Sequence, residues 1–188
     1  MTSMLDILGS FVIGGMVLLA VVTLNSGMTG SAVQMTMDLM VQENMVELTR
    51  EVEYDFHKIG YRVSNDTVIT LADSTGITFL ADIDDDGNVD FVRYYLGSPN
   101  ELTSTPNTED RLLYRVVNSE TPKSSNMGVV AFDLKYYDAS GNETSVLGDI
   151  RGINVSLDVE SPFPYSDTTF VAYAGLHWEE YIVPMNIQ

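Results

Sequence analysis

Apolar and polar positions divide this chain into two parts with different periods. Residues 7–24, Ile7-Leu-Gly-Ser-Phe-Val-Ile-Gly-Gly-Met-Val-Leu-Leu-Ala-Val-Val-Thr-Leu24, contain no charge, close to the ~20 residues a helix needs to cross a bilayer. The run lacks a basic n-region and a small-x-small cleavage site, so it predicts a spanning or core helix rather than a cleaved signal peptide. After a softer patch at residues 25–30, apolar residues return at Val33, Met37, Met40, Met45, Leu48, Val52, Phe56 and Ile59. Steps of three to five predict an amphipathic helix. Asp38, Gln42, Glu43, Glu47, Glu51 and Asp55 fall between them as its wetter face, and Gly60 supplies a C-cap. A continuous rod from Met4 to Ile59 would be about 80 Å long at 1.5 Å per residue.

Beyond residue 61 the period changes to two. Short alternating or β-branched runs separated by turn residues predict strands at 68–71, 76–81, 89–96, 111–117, 128–137, 152–159 and 169–173, with a closing strand at 180–184. Residues 82–88 form a hairpin loop, 138–142 a turn, and 97–110 and 118–126 surface loops. The fold class is therefore α+β: a helix over residues 1–60 followed by an antiparallel β domain over 61–188. In the pairs Tyr94–Tyr95 and Tyr136–Tyr137, alternation predicts one packed ring and one outward ring each.

Charge sharpens the division. The formal net charge is −18, from 27 acidic and 9 basic residues, and no Lys or Arg precedes Arg50. The basic residues do not cluster, so a nucleic-acid partner is not expected. With no cysteine, disulfides, zinc-thiolate sites and thiol nucleophiles are excluded, which fits an extracytoplasmic setting. Most methionines lie in the helical part, as suits a surface that packs adaptably.

The most specific chemical motif is Asp82-Ile-Asp-Asp-Asp-Gly-Asn-Val-Asp90. Carboxylates at alternate positions followed by Gly match the first nine positions of a calcium loop. Asp82, Asp84 and Asp86 would converge on Ca²⁺, the Asn88 carbonyl would be a fourth ligand, and Asp90 would act directly or through water. Position twelve is Arg93 rather than Glu, and strands rather than helices flank the loop. The competing reading is an Asp-Gly hairpin turn that needs no metal. Catalysis finds little support: His57 and His177 read as structural, and no protease, hydrolase or phosphate-binding motif is present. An enzyme is not expected. Gly14, Gly15, Gly27 and Gly30 weaken the rod, either for close helix packing in a membrane or as points of local unwinding.

The helix ending Glu51-Val-Glu-Tyr-Asp-Phe-His-Lys-Ile-Gly-Tyr61, the hairpin at residues 77–96 and Leu113-Tyr-Arg115 resemble the minor pilins and pseudopilins of the type IV pilin family. Residues 130–138 and 150–157 are similar to the later strands of that family. The chain departs from the family in having no basic leader ending in Gly and no Phe start. Counted from Thr2, Asp6 falls fifth, where the family carries a Glu that neutralises a neighbour's terminal amine; the alternative is that Asp6 caps the helix or sits at the headgroup interface. The resemblance implies a structural subunit that is stored in the inner membrane with its β domain outside the cytoplasm. Assembly machinery of a pilus or secretion system would then build it into an extracellular helical homopolymer. Asp6, Gly14, Gly15, Gly27 and Gly30 would be its assembly residues. A low-copy pseudopilin, or an anchored calcium-binding adhesin that never polymerises, are the alternatives.

Overall fold

The structure, a computed structural model, describes residues 2–64, 67–165 and 171–187. One helix, α1 (Thr2–His57), runs unbroken through the soft patch at residues 25–30. Seven strands follow: β1 (Ile69–Asp73), β2 (Gly76–Ala81), β3 (Asp90–Leu96), β4 (Arg111–Val117), β5 (Lys123–Tyr137), β6 (Gly152–Glu160) and β7 (Gly175–Ile182). They form one antiparallel sheet in sequence order, each strand pairing with the next, so the chain is α+β. Its connections are local, as expected for short runs broken by turn residues.

The last four to five turns of the helix, from Val41 on, share one core with the sheet. Val41, Met45, Leu48, Val52, Phe56 and the following Ile59 are buried, a spacing of three to four that holds one face of α1 against β5, β6 and β7. Phe56, fully buried, meets Phe79 of β2 and Tyr94 of β3 edge-on at 5.9 and 5.6 Å between ring centres. Burying such a ring contributes about 1.5–3 kcal/mol. On the sheet, Ile153, Val155, Leu157 and Val159 of β6 alternate with half-buried polar residues. Tyr94 and Tyr136 pack inward while Tyr95 and Tyr137 face out.

Four expectations need correction. Val33 and Met40 are exposed, and Val41 takes the buried place. Asp55 is not on the wet face: it is 1% exposed. The loop after Asn118 is shorter than residues 118–126, because β5 starts at Lys123. Part of the strand expected at 169–173 lies outside the described residues, and residues 171–173 are not in a strand. The last strand begins earlier instead, at Gly175, pairing Trp178 with Leu157 and Ile182 with Ile153. β5 bends where Gly128 has φ +73° and a Cβ would lie 2.0 Å from the Glu160 carbonyl oxygen, a position only glycine fills.

Candidate functional site

Three places bear on function: the loop between β2 and β3, the buried polar contact between helix and sheet, and the uncovered length of α1.

The β2–β3 loop is shaped by its own carboxylates. Asp84 accepts the Asp86 N–H at 3.2 Å, and Asp86 accepts the Asn88 N–H at 2.7 Å and its Nδ2 at 3.0 Å. These are Asx turns, in which a short side chain replaces a backbone acceptor. Left-handed backbone at Asp85 (φ 64°) and Gly87 (φ 91°) completes the curl. The result brings one oxygen each from Asp82, Asp84 and Asp86 within 4.8 Å of one another. Ligands at 2.3–2.6 Å on opposite sides of a calcium ion are about 5 Å apart, so this cluster could hold a metal ion.

Asp82 is fully buried, while Asp84 and Asp86 are exposed. One oxygen of Asp82, Oδ2, meets Arg62 Nη1 at 2.7 Å and accepts the Gly87 N–H at 3.0 Å. The other, Oδ1, is buried with no hydrogen-bond partner. Burial pushes the Asp82 carboxyl up, but Arg62 and the Gly87 N–H outweigh it and hold the group below the usual carboxylate range. Lys58 Nζ reaches Asp85 at 2.7 Å and the Ile83 carbonyl at 2.9 Å, so the end of the helical region is fastened to the loop. Asp90 stands apart from the three. Its oxygens accept the Ile83 N–H at 3.1 Å and Asn118 Nδ2 at 2.7 Å, which braces the base of the loop. Asn88 is exposed at the tip, its side chain turned back on Asp86. Arg93 lies over the Tyr95 ring at 4.6 Å on β3.

Asp55 is the centre of the helix–sheet contact. Arg115 of β4 grips it through two nitrogens, Nε to Oδ2 at 2.6 Å and Nη2 to Oδ1 at 3.2 Å. Tyr94 donates its hydroxyl to Asp55 Oδ2 at 2.6 Å and accepts from Arg115 Nε at 3.0 Å. Burial and the Asp55 charge push the Tyr94 hydroxyl well above its ordinary value, so it stays a donor. Glu51 joins at 3.5 Å from Arg115. The signal in the sequence was the Leu-x-Arg run, which offers an inward cation between apolar residues.

A second buried acid also escaped the sequence. Asp110 is 1% exposed and neither carboxylate oxygen has a hydrogen-bond partner. Burial pushes its carboxyl up, and the charge of Glu160 adds to that. The nearby Thr105 hydroxyl pulls the other way but donates to the Asn107 carbonyl. His57 is exposed at the end of α1, and His177 lies on β7 with Nδ1 2.6 Å from Asp158.

Among the described residues, the N-terminal length of α1 stands clear of the sheet up to Met37, which packs against the edge of the core. From residue 3 to 40 every residue is exposed except half-buried Met37, and its most apolar window has a mean hydropathy of 2.5 with no part buried. Such a helix is long and apolar enough to cross a membrane. A Cβ added at Gly14, Gly15, Gly27 or Gly30 would meet nothing within 4 Å, so no contact among the described residues uses their smallness. Asp6 lies inside the helix beyond its first turn and does not cap it; Ser10 Oγ donates to its backbone carbonyl at 2.7 Å. Compared with protein-family models, curated proteins and solved structures, the chain finds no match.

Proposed function

We propose that this protein is a structural subunit of an extracellular pilin-like filament. The apolar half of α1 holds it in the inner membrane until assembly, with the β domain outside the cytoplasm. Pilus or secretion machinery then moves it into a helical homopolymer whose core is α1 packed against copies of itself. One observation carries this reading: the uncovered helix is longer than a bilayer can cover. Residues 3–40 extend about 57 Å at 1.5 Å per residue, against a hydrocarbon core of ~30 Å. Beyond the apolar run, Met28, Met35 and Leu39, and Val46 beside the sheet, are all exposed. At 100° per residue they lie within about 40° of one another and about 120° around the helix from the face buried by the sheet. A second apolar stripe outside both lipid and domain calls for a protein partner. Copies of the same helix supply one, with the glycines allowing close approach.

The Asp82, Asp84 and Asp86 cluster takes Ca²⁺ in this reading. A hard cation prefers such all-oxygen ligands, and it lowers repulsion between packed chains that each carry a formal net charge of −18. Electron microscopy of filaments sheared from cells, with antibody to the β domain, tests the assignment. Filaments built of this chain are expected. Trace amounts in filaments of another protein would make it a low-copy subunit, and absence from any filament would overturn the reading. Titration with CaCl₂, and melting with and without EDTA, test the ion separately.

A further inference from the structure

We propose that Arg62 is a built-in rival of the divalent cation and sets how tightly the β2–β3 loop holds it; this rests on reading Asp82, Asp84 and Asp86 as a cation site. The argument begins with the two oxygens of Asp82. Oδ2 is held by Arg62 at 2.7 Å, whereas Oδ1 is buried without a partner. A buried carboxylate oxygen left unbonded is costly, and it belongs to one of three residues whose oxygens already lie within 4.8 Å of one another. The free oxygen is the feature that points to an ion rather than to a self-sufficient turn.

Arg62 is placed to oppose that ion. Its backbone is left-handed, φ 58°, a conformation that a residue with a Cβ adopts at a cost. From there the side chain passes 5.0 Å from the Tyr61 ring centre to reach Asp82. The Arg62 side chain is 47% exposed, so it can swing away without unpacking the core. The loop's other cation, Lys58, is paired with Asp85, which is not one of the three. Arg62 is thus the cation in contact with the cluster among the described residues. Without an ion it neutralises the one carboxylate that is buried; with an ion it shares that carboxylate with two further positive charges. The repulsion weakens binding and favours release, as suits a site that fills only at extracellular calcium concentrations.

The test is calorimetric titration of CaCl₂ into the full chain in detergent, for the wild type, Arg62→Gln and Arg62→Lys. Arg62→Gln is expected to bind calcium about tenfold more tightly, the scale of one unit charge beside a partly solvated site. Arg62→Lys is expected to bind like the wild type. In EDTA, Arg62→Gln should melt below the wild type, because Asp82 has lost its counter-charge, and calcium should raise its melting temperature by more. Equal or weaker binding by Arg62→Gln, or tight binding by Arg62→Lys, overturns the proposal. Binding by Arg62→Gln alone would support the rivalry and overturn calcium binding by the wild type. Failure of all three chains to bind, with their folds intact by circular dichroism, overturns both.

Discussion

Replacing Arg115 with Met is the most informative single perturbation of the fold, because it separates the value of an ion pair from the cost of breaking one. Asp55 is 1% exposed and is gripped by Arg115 at 2.6 and 3.2 Å. In Arg115→Met the carboxylate keeps only the Tyr94 hydroxyl, buried beside Phe56 without a counter-charge. Removing one member of such a pair costs about 3–5 kcal/mol. For a chain of this size each kcal/mol lowers the melting temperature by about 2–4 °C, so a fall of roughly 10 °C is expected. Asp55→Asn should be milder, at about 1–2 kcal/mol. It keeps the shape, and Arg115, 18% exposed, still has Glu51 at 3.5 Å. The double variant Asp55→Leu with Arg115→Met removes both charges together and should be more stable than Arg115→Met alone, since apolar replacement of a buried pair is often neutral. Trp178, the chain's one tryptophan, packs beside the core on β7, so its fluorescence follows loss of the sheet during a thermal scan in detergent. A fall of less than about 1 kcal/mol for Arg115→Met, or strict additivity in the double variant, would refute the reasoning.

Three further outcomes follow from the geometry. Asp110→Asn should raise the melting temperature at pH 7, because the unpartnered buried carboxylate disfavours the folded state once ionised. Its raised folded-state pKa means that wild-type stability recovers as pH falls through that value towards the ordinary 3.8. The advantage of the variant should therefore disappear in acid, which parallel melts at the two pH values will show. Gly14→Leu combined with Gly15→Leu should leave the β domain's melting unchanged, since both sites face open space, while filament yield in sheared fractions falls. Phe56→Ala should destabilise the domain by about 3–5 kcal/mol, as the ring is fully buried between Phe79 and Tyr94; chemical denaturation in detergent measures it.

What the sequence revealed follows how local each cause is. The helix was legible because its period and its uncharged run are properties of neighbouring residues, and the loop was legible because Asx turns close over two positions. The burial of Asp55 and Asp110 was not, because each depends on which strand lies opposite. Asp55 differs from Glu51, which meets Arg115 only at 3.5 Å from an exposed position, in having both Arg115 and the Tyr94 hydroxyl at 2.6 Å, brought side by side by the pairing of β3 with β4. The last strand was obscured for a related reason. In β7 the inward row reads Trp178, Glu180 and Ile182, and Glu180, opposite Val155, interrupts the apolar alternation that marks a strand. What Glu180 faces there is Glu53 of the helix: burial pushes the Glu53 carboxyl up, and the hydrogen bond with Glu180 raises it further. A polar residue on an inward row is thus read correctly only once its partner on α1 is known.

The same distinction between local and non-local cause bears on the helix as a rod. Its buried face has a partner inside the chain, and the periodic pattern at Val41, Met45, Leu48, Val52 and Phe56 is fully used there. The stripe of Met28, Met35, Leu39 and Val46 is equally regular and is left exposed by the described residues. A single apolar face would be enough for a helix that only anchors one domain, with lipid covering the rest. Two faces, one of them extending past the lipid and beside the domain, suit a helix that holds its own sheet on one side and a copy of itself on the other. Replacing Met35 and Leu39 together with Asp should therefore leave the domain folded and the membrane insertion of residues 7–24 intact, while abolishing assembly. If such a variant still formed filaments of normal yield in sheared fractions, the stripe would have no role in packing, and the helix would be only an anchor.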